Sequence, residues 1–453
     1  MVNYKKMRYF IAVFLMVVLL FTFGVAIQAQ TWKKFPGVHL TFMWYPSPEM
    51  DAVKKLLPEF TKETGIKVTL MEVPHEAMYE KLMMEAVSGA GIIDLAGVAF
   101  WWVDSFARAK YIECLEPYFK AYGDPALDDL IPEVVDYYRF IENSRIYAIP
   151  LYPDVNMIAY NKEMLKEAGV SIPETWEEFR SMSKKLQKDT DGDGKIDQWG
   201  AVLNLFRDES VTHNFAHFLY MNHGDFIRGQ YKGDLPPMKD DPTKYMHPVF
   251  NNELGVEALT YLVQMYQEKT FSPGSINYSF FDALEAFILE KAAMYPTFAD
   301  QAPMMYGPES KITDKVGFAP LPTWKGVRRQ RGGGWGISIM SSSKNKEAAY
   351  EFIRFFYGNI ENAKKLAAHG KTPSRYSVLA DEDLVRTHPW YPAMKVMLPV
   401  CKPDIKLPEA PEIIITIAGY LQAAFTGKYT PKEALDIAAA KVDEIMKRAG
   451  YYR

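Results

Sequence analysis

A regular alternation of strand and helix, beginning at Val38, restricts this chain to an α/β architecture. Val38 to Trp44 alternates at the two-residue period of a strand, and Met50 to Glu63 then places Val53, Leu56, Leu57 and Phe60 on one helical stripe that Gly65 ends. A second strand is expected over Ile66 to Val73, a helix over His75 to Val87, and a third strand around Ile92 to Val98. This β-α-β-α-β order gives a mostly parallel sheet covered by helices. Ligands of such sheets sit at the carboxyl ends of the strands. The residues to read for function are therefore those that follow the strands: Trp44, Tyr45, Trp101 and Trp102.

The alternation resumes in the middle of the chain, with a strand near Ile146 to Pro150, an extended stretch over Val155 to Tyr160 and a helix over Thr175 to Lys188. Thr175 with Glu178 three residues on is the pattern of a capping box. Glycine and proline punctuate Gly317 to Gly336, which reads as a crossing between lobes rather than a core element. Helical periodicity returns over Glu347 to Phe356, from Ala410 onward and over Pro431 to Arg448.

A chain of 453 residues is about three times an ordinary domain, so two lobes with separate cores are expected. With 48% hydrophobic and 24% charged residues, the composition excludes both a disordered chain and a multi-span membrane protein. Net charge is -4 and the basic residues are scattered, which leaves no footprint for a nucleic acid. At the N-terminus, Lys5, Lys6 and Arg8 precede an uncharged run from Tyr9 to Phe23 and the small residues before Gln30, the parts of a secretory signal. Residues 1–29 are read as that signal, with cleavage after Ala29; an uncleaved anchor is the alternative. The two cysteines, Cys114 and Cys401, lie far from the cleavage site and cannot carry a lipid at the mature end. Their apolar contexts suit buried thiols better than a disulfide. A periplasmic or extracellular location follows.

Several segments together resemble extracellular solute-binding proteins of the carbohydrate-uptake type, the maltose-binding-protein-like group. They are Tyr147 to Pro150, Asp154, Ala159 to Gly169, and Pro173 to Phe179. Lys291 to Met294, Val316 to Pro322, Gly333 to Gly336 and Ser343 to Ala349 add to the match. The resemblance implies two α/β lobes joined by a three-strand hinge, closing on a sugar in the cleft between them and then docking on the transmembrane permease subunits of an ABC importer. It implies no cofactor for activity and a monomer. Crossings are expected near Pro153 to Val155, Ala319 to Thr323, and Val378 to Asp383. The N-terminal lobe would then comprise residues 30–154 and 321–380, and the C-terminal lobe 155–320 and 381–453.

A sugar site needs flat aromatic platforms for C–H faces and a few charged or amide groups for hydroxyls. Trp44, Tyr45, Trp101 and Trp102 are candidates from their strand ends, with core packing as the alternative for each. Asp104 is read as the cap of the next helix. The resemblance places Asp154 at a ligand-binding carboxylate, with a structural hinge carboxylate as the alternative, and Phe298 where relatives have a stacking Trp, with core burial as the alternative there and at Trp335. Trp335 follows three glycines that allow close approach of the backbone to a ligand. The stretch Ile413 to Ile417 stands where a late Trp is expected, which disfavours maltose. Arg328, Arg329 and Arg331 are read as a solvated loop, with attraction of an acidic sugar as the alternative. His213, His217 and His223 lack the spacing and nearby acids of a zinc site.

Asp189, Asp191, Asp193, Lys195 and Asp197 stand at alternate positions around Gly194, the spacing that wraps a chain about Ca²⁺. The twelfth position is Gly200 rather than an acid, so a solvated acidic turn is the alternative to a structural calcium site. The rival to the whole reading is a secreted glycan-cleaving enzyme with a similar aromatic cleft, which would need paired carboxylates on facing walls.

Overall fold

The computed structural model describes residues 31–229 and 246–451; the expected export signal lies outside these residues. Strands β1 (His39–Trp44), β2 (Lys67–Glu72), β3 (Leu95–Ala99) and β4 (Ile149–Pro153) come first in the chain. They are followed by β5 (Asn156–Asn161), β6 (Trp199–Ala201), β7 (Ala292–Phe298) and β8 (Val316–Pro320), then β9 (Gln330–Gly332), β10 (Gly334–Ile339) and β11 (Cys401–Pro403). One sheet has the order β2-β1-β3-β10-β4 and a second the order β8-β5-β7-β6, while β9 pairs with β11 in parallel. The chain passes from the first sheet to the second over Asp154 and Val155.

In the first sheet β1 runs parallel to β2 and β3, and β10 runs antiparallel to β3 and β4. Helix α1 (Pro48–Thr64) opens on a Ser47 cap and ends at Gly65, whose φ of 78° only glycine adopts without cost. Helices α2 (Met78–Ser88) and α3 (Phe100–Arg108) follow β2 and β3. All five residues of β3 are buried, as expected of a strand covered on both faces.

On the second sheet, α4 (Trp176–Lys185) packs against β6 and α7 (Phe280–Ile288) against β7, while α5 (Glu209–Met221) packs against β9 and α6 (Glu253–Gln267). The capping box of α4 is present: Glu178 N donates to Thr175 Oγ1 at 3.1 Å, and Thr175 N to Glu178 Oε2 at 3.2 Å. Later in the chain, α8 (Lys346–Ile353) covers the first sheet, whereas α9 (Tyr391–Met397) lies on β8 and β5 of the second. The last two helices, α10 (Ala410–Phe425) and α11 (Pro431–Arg448), pack on each other; α10 also covers α5 and touches α3.

The stretch Gly317 to Gly336 is not merely a crossing. Residues 316–320 form an edge strand of the second sheet, and Gly334–Ile339 is a fully buried strand inserted between β3 and β4. Its glycines are there because neighbours leave no room: a Cβ on Gly336 would lie 2.6 Å from the Tyr138 ring. Residues 321–327 remain with the second sheet, since Trp324 stacks on Tyr261 at 4.8 Å and Trp176 N donates to Thr323 O at 2.9 Å.

Gly334 has φ 135°, and a Cβ there would lie 2.2 Å from Tyr152 O. Gly334→Ala should therefore lower stability by about 1–3 kcal/mol or more. Gly326→Ala, at φ 75° in open space, should cost less. Urea unfolding midpoints of the two variants check this.

Candidate functional site

The parallel strands β1, β2, β3 and β4 all end at one edge of the first sheet, and antiparallel β10 begins there. That edge presents Tyr45, His75, Trp101, Tyr152, Asp154 and Trp335. In the second sheet β6 and β7 are parallel; their ends lead to Asn204 and to Phe298 and Asp300, with Glu209 and Ser210 opening α5 and Phe280 opening α7. The two edges face each other across a small cavity lined by all of these together with His213 and Arg331. A register shift at Trp335/Gly336 against β4 turns the Trp335 ring toward this edge.

The cavity encloses about 30 Å³, enough for about two waters. Rings from the two sides touch around it: His75 stacks on Phe280 at 5.9 Å, Trp101 meets His213 at 5.4 Å, and Tyr45 meets Phe281 at 6.4 Å. This is a closed arrangement, and a ligand of a dozen heavy atoms enters only if the two sides separate. Outward, the cavity shares His75, Trp101 and Glu209 with a groove of about 500 Å³, within the range of small-molecule sites. Tyr79 and Trp102 form one wall of that groove, and Ile414, Ile415 and Thr416 the other.

Arg331 corrects the expectation of a solvated loop. Its side chain is fully buried, ion-paired with Asp154 and with Asp404 at 3.2 Å, and its guanidinium lies over Phe100 and Trp101 at 5.5 and 5.3 Å. Its backbone N–H donates to His217 Nδ1 at 3.0 Å. Arg329 is exposed as expected, and Arg328 is half-buried. The difference has a physical cause: β9 pairs with β11, which carries Arg331 inward against two carboxylates. Arg331 thus ties the first crossing, through Asp154, to the late segment at Asp404. Gln330 adds a second tie, donating to Met397 O at 3.0 Å, and Asp154 N donates to Gly333 O at 3.1 Å.

Several groups here are displaced from their ordinary titration. Burial, with Asp154 nearby, pushes the Asp300 carboxyl up to about 8. Burial also raises Glu209. Burial first, and then the Arg331 charge, take His217 down to about 3 and His213 well below its usual value. The histidines at 213 and 217 are therefore neutral at pH 7. Arg331 Nη2, His213 Nε2 and Asn204 Nδ2 are buried without hydrogen-bond partners.

Of the residues expected at the site, Tyr45, Trp101, Asp154, Phe298 and Trp335 come together around the cavity, and Trp102 stands in the outer groove. Trp44 does not line either space. It is wholly buried behind Tyr45, stacked on it at 4.5 Å and seated against Gly97, where a Cβ would lie 1.6 Å from its ring. Asp104 does not cap a helix; it lies inside α3 and accepts from Ile141 N at 2.8 Å. The sequence reading omitted His75, Tyr152, Asn204, Glu209 and Asp300. The rule that found Trp101, looking just past each strand, finds His75, Asn204 and Asp300 once it is applied to β2, β6 and β7; Tyr152 lies within β4 and Glu209 at the start of α5, beyond its reach. Cys114 and Cys401 are free and half-buried.

In the acidic loop, Asp189, Asp191 and Asp193 bring one carboxylate oxygen each within 4.8 Å of one another, all exposed. Asp197 is engaged elsewhere, accepting from Thr190 N and Oγ1 at 3.0 and 2.6 Å. Lys195 N donates to Asp193 Oδ1 at 2.8 Å. An acid at the twelfth position is sterically barred, since a Cβ on Gly200 would lie 1.9 Å from Ser183 O. Three carboxylates are a donor set that suits a hard cation.

Two α/β bodies that bring their strand ends together over a common cavity define a two-lobed ligand-binding protein. Residues 44–385 match the family model of the bacterial extracellular solute-binding proteins, and the chain belongs to that family. A probable amino-acid ABC transporter periplasmic-binding protein of Sinorhizobium fredii is 24% identical over 434 residues, 93% of this chain and 92% of that one. The arabinooligosaccharide-binding protein of Bacillus subtilis is 26% identical, covering 84% and 83%. A solute-binding protein of Agrobacterium radiobacter, solved with ribitol, superposes with a TM-score of 0.78 at 25% identity, covering 91% of this chain and all of that one. The chain is a binding protein, and the glycan-cleaving alternative gives way.

Removing Arg331 leaves Asp154 and Asp404 buried without their cation. Arg331→Leu should cost about 3–5 kcal/mol of stability, and adding Asp154→Asn and Asp404→Asn should recover part of it. Urea denaturation of the single and triple variants measures both.

Proposed function

We propose that this protein captures a sugar or oligosaccharide between its two lobes and delivers it, as a monomer, to the transmembrane subunits of an ABC importer from a periplasmic or extracellular position. The observation that carries the reading is the convergence of Tyr45, Trp101, Trp335 and Phe298 with Asp154 and Arg331 on one interlobe cavity. Aromatic faces match the C–H faces of a pyranose, and the carboxylate and guanidinium groups match its hydroxyls. In this reading the ligand contacts both lobes only when they are closed, so binding shifts the population toward the closed form. That form is what the permease receives.

The lobes are 30–154 with 321–380, and 155–320 with 381–453, adjusted so that 321–327 moves with the second lobe because Trp324 stacks on Tyr261. The hinge then consists of the crossings that Gln330 and Arg331 lace together.

Calorimetric titration with mono- and oligosaccharides should identify a ligand. Trp101→Ala, Trp102→Ala and Trp335→Ala should each weaken it by about tenfold or more, since each buried ring contributes about 1.5 kcal/mol or above. Small-angle scattering should show compaction on binding. The site is misplaced if all three variants bind as the parent does, and the closure mechanism fails if a bound sugar leaves the scattering unchanged.

We also infer that Asp189, Asp191 and Asp193, with the Lys195 carbonyl, hold a structural Ca²⁺, while Asp197, expected as a further ligand, stays with Thr190. Metal-stripped protein should gain melting temperature with CaCl2, and Asp191→Asn should lose that gain. An absence of both heat and thermal shift on titration removes the idea.

A further inference from the structure

The charges around the cavity and groove are strongly one-sided. Asp154, Asp300 and Glu209 line the cavity, and Glu76, Glu80 and Glu412 line the groove. Among the described residues lining either space, Arg331 is the one Lys or Arg, and Asp154 and Asp404 already answer its charge. Glu412 is paired outside the groove with Arg448 at 2.6 Å. Asp300 and Glu209 have no ion-pair partner of this kind. Asp300 faces Asp154 and Tyr152, and what holds its carboxyl up to about 8 is burial and the Asp154 charge, with no cation set against them.

Carboxylates at the wall of a closed cavity are costly unless a cation reaches them. Here the Arg331 charge reaches Glu209 but is shared with Asp154 and Asp404, and no Lys or Arg among the described residues pairs with Asp300, which burial keeps protonated until an arriving cation displaces that proton; much of the remaining wall is aromatic: Tyr45, Trp101, Phe280, Phe298 and Trp335. Ring faces attract a cation as well as a sugar face. The partnerless Arg331 Nη2 and Asn204 Nδ2 on the same wall call for hydroxyl oxygens. Acids without cations, aromatic faces and orphan donors together describe a ligand with both an ammonium group and hydroxyls.

We propose that the ligand is a cationic sugar, a mono- or oligosaccharide carrying a free protonated amine, with the ammonium set between Asp300 and Glu209 and the rings of the cavity. This deepens the sugar reading and rests on it. An acid-lined groove extends the same preference to further amine-bearing units, and it repels uronic acids and sugar phosphates.

The test is calorimetry on the full-length mature protein with matched pairs, below the pKa of the amine. The pairs are glucosamine against glucose and N-acetylglucosamine, galactosamine against galactose, and fully deacetylated against N-acetylated chitobiose. The amine form of at least one pair should bind at least about tenfold tighter than its neutral counterpart. Asp300→Asn and Glu209→Gln should each narrow that ratio. The ratio in the unmutated protein decides the matter even if a variant fails to fold. Neutral sugars that bind as tightly as their amino counterparts overturn the cationic ligand and leave the sugar reading standing. Failure of every sugar, charged or neutral, overturns both.

Discussion

A single buried guanidinium holds the two halves of this molecule in relation to each other. Arg331 reaches Asp154 on the first crossing and Asp404 on the late segment, beneath the aromatic floor of Phe100 and Trp101. Three charges out of water are tolerated because each answers another, and for the same reason the arrangement is intolerant of losing one member. Burial works against the Arg331 charge, and the two carboxylates outweigh it. The first crossing and the late segment are thus joined by an electrostatic tie made wholly of the chain's own residues. Its members come from three places in the chain: Asp154 from the crossing after β4, Arg331 from β9, and Asp404 from just after β11.

The two sheets flank that tie and aim their strand ends at each other. In the first sheet parallel strands deliver Tyr45, His75, Trp101 and Tyr152 to one edge, and antiparallel β10 brings Trp335 to the same edge from its beginning rather than its end. Trp44 contributes from behind: it fills the place that Gly97 vacates and fixes the plane of Tyr45. The hydroxyls of Tyr45 and Tyr152 bond to each other, so the aromatic wall is braced as a unit. The polar groups around it include three acids, Asp154, Glu209 and Asp300, against the single cation Arg331.

How much of this could be read from the sequence depended on whether a residue's role was local. The α4 capping box was legible because Thr175 and Glu178 are three residues apart and need no other part of the fold. Gly65 was legible for the same reason. The membership of β10 in the first sheet was not, because it rests on pairing with Leu95 and Ile149 hundreds of residues away. The glycines that looked like punctuation are packing requirements imposed by Tyr138 and by the β4 backbone. Arg331 was misread through the same gap, since its partners Asp154 and Asp404 are distant in sequence. Asp300 was within reach, as it stands two residues past the end of β7, whereas Glu209 opens α5 well beyond β6.

The position of β10 between β3 and β4 also bears on how the chain acquires its structure. Until Ile339 has been synthesised, the first sheet consists of two unjoined parts, with the exposed edges of β3 and β4 waiting for a strand encoded after the whole of the second sheet. Such edges invite wrong pairing. The N-terminal half therefore cannot mature ahead of the C-terminal half, as sequential domains usually do. Three-quarters of the polypeptide must be present before the earliest part of it has a finished core, which makes the assembly of this two-lobed molecule a single late event.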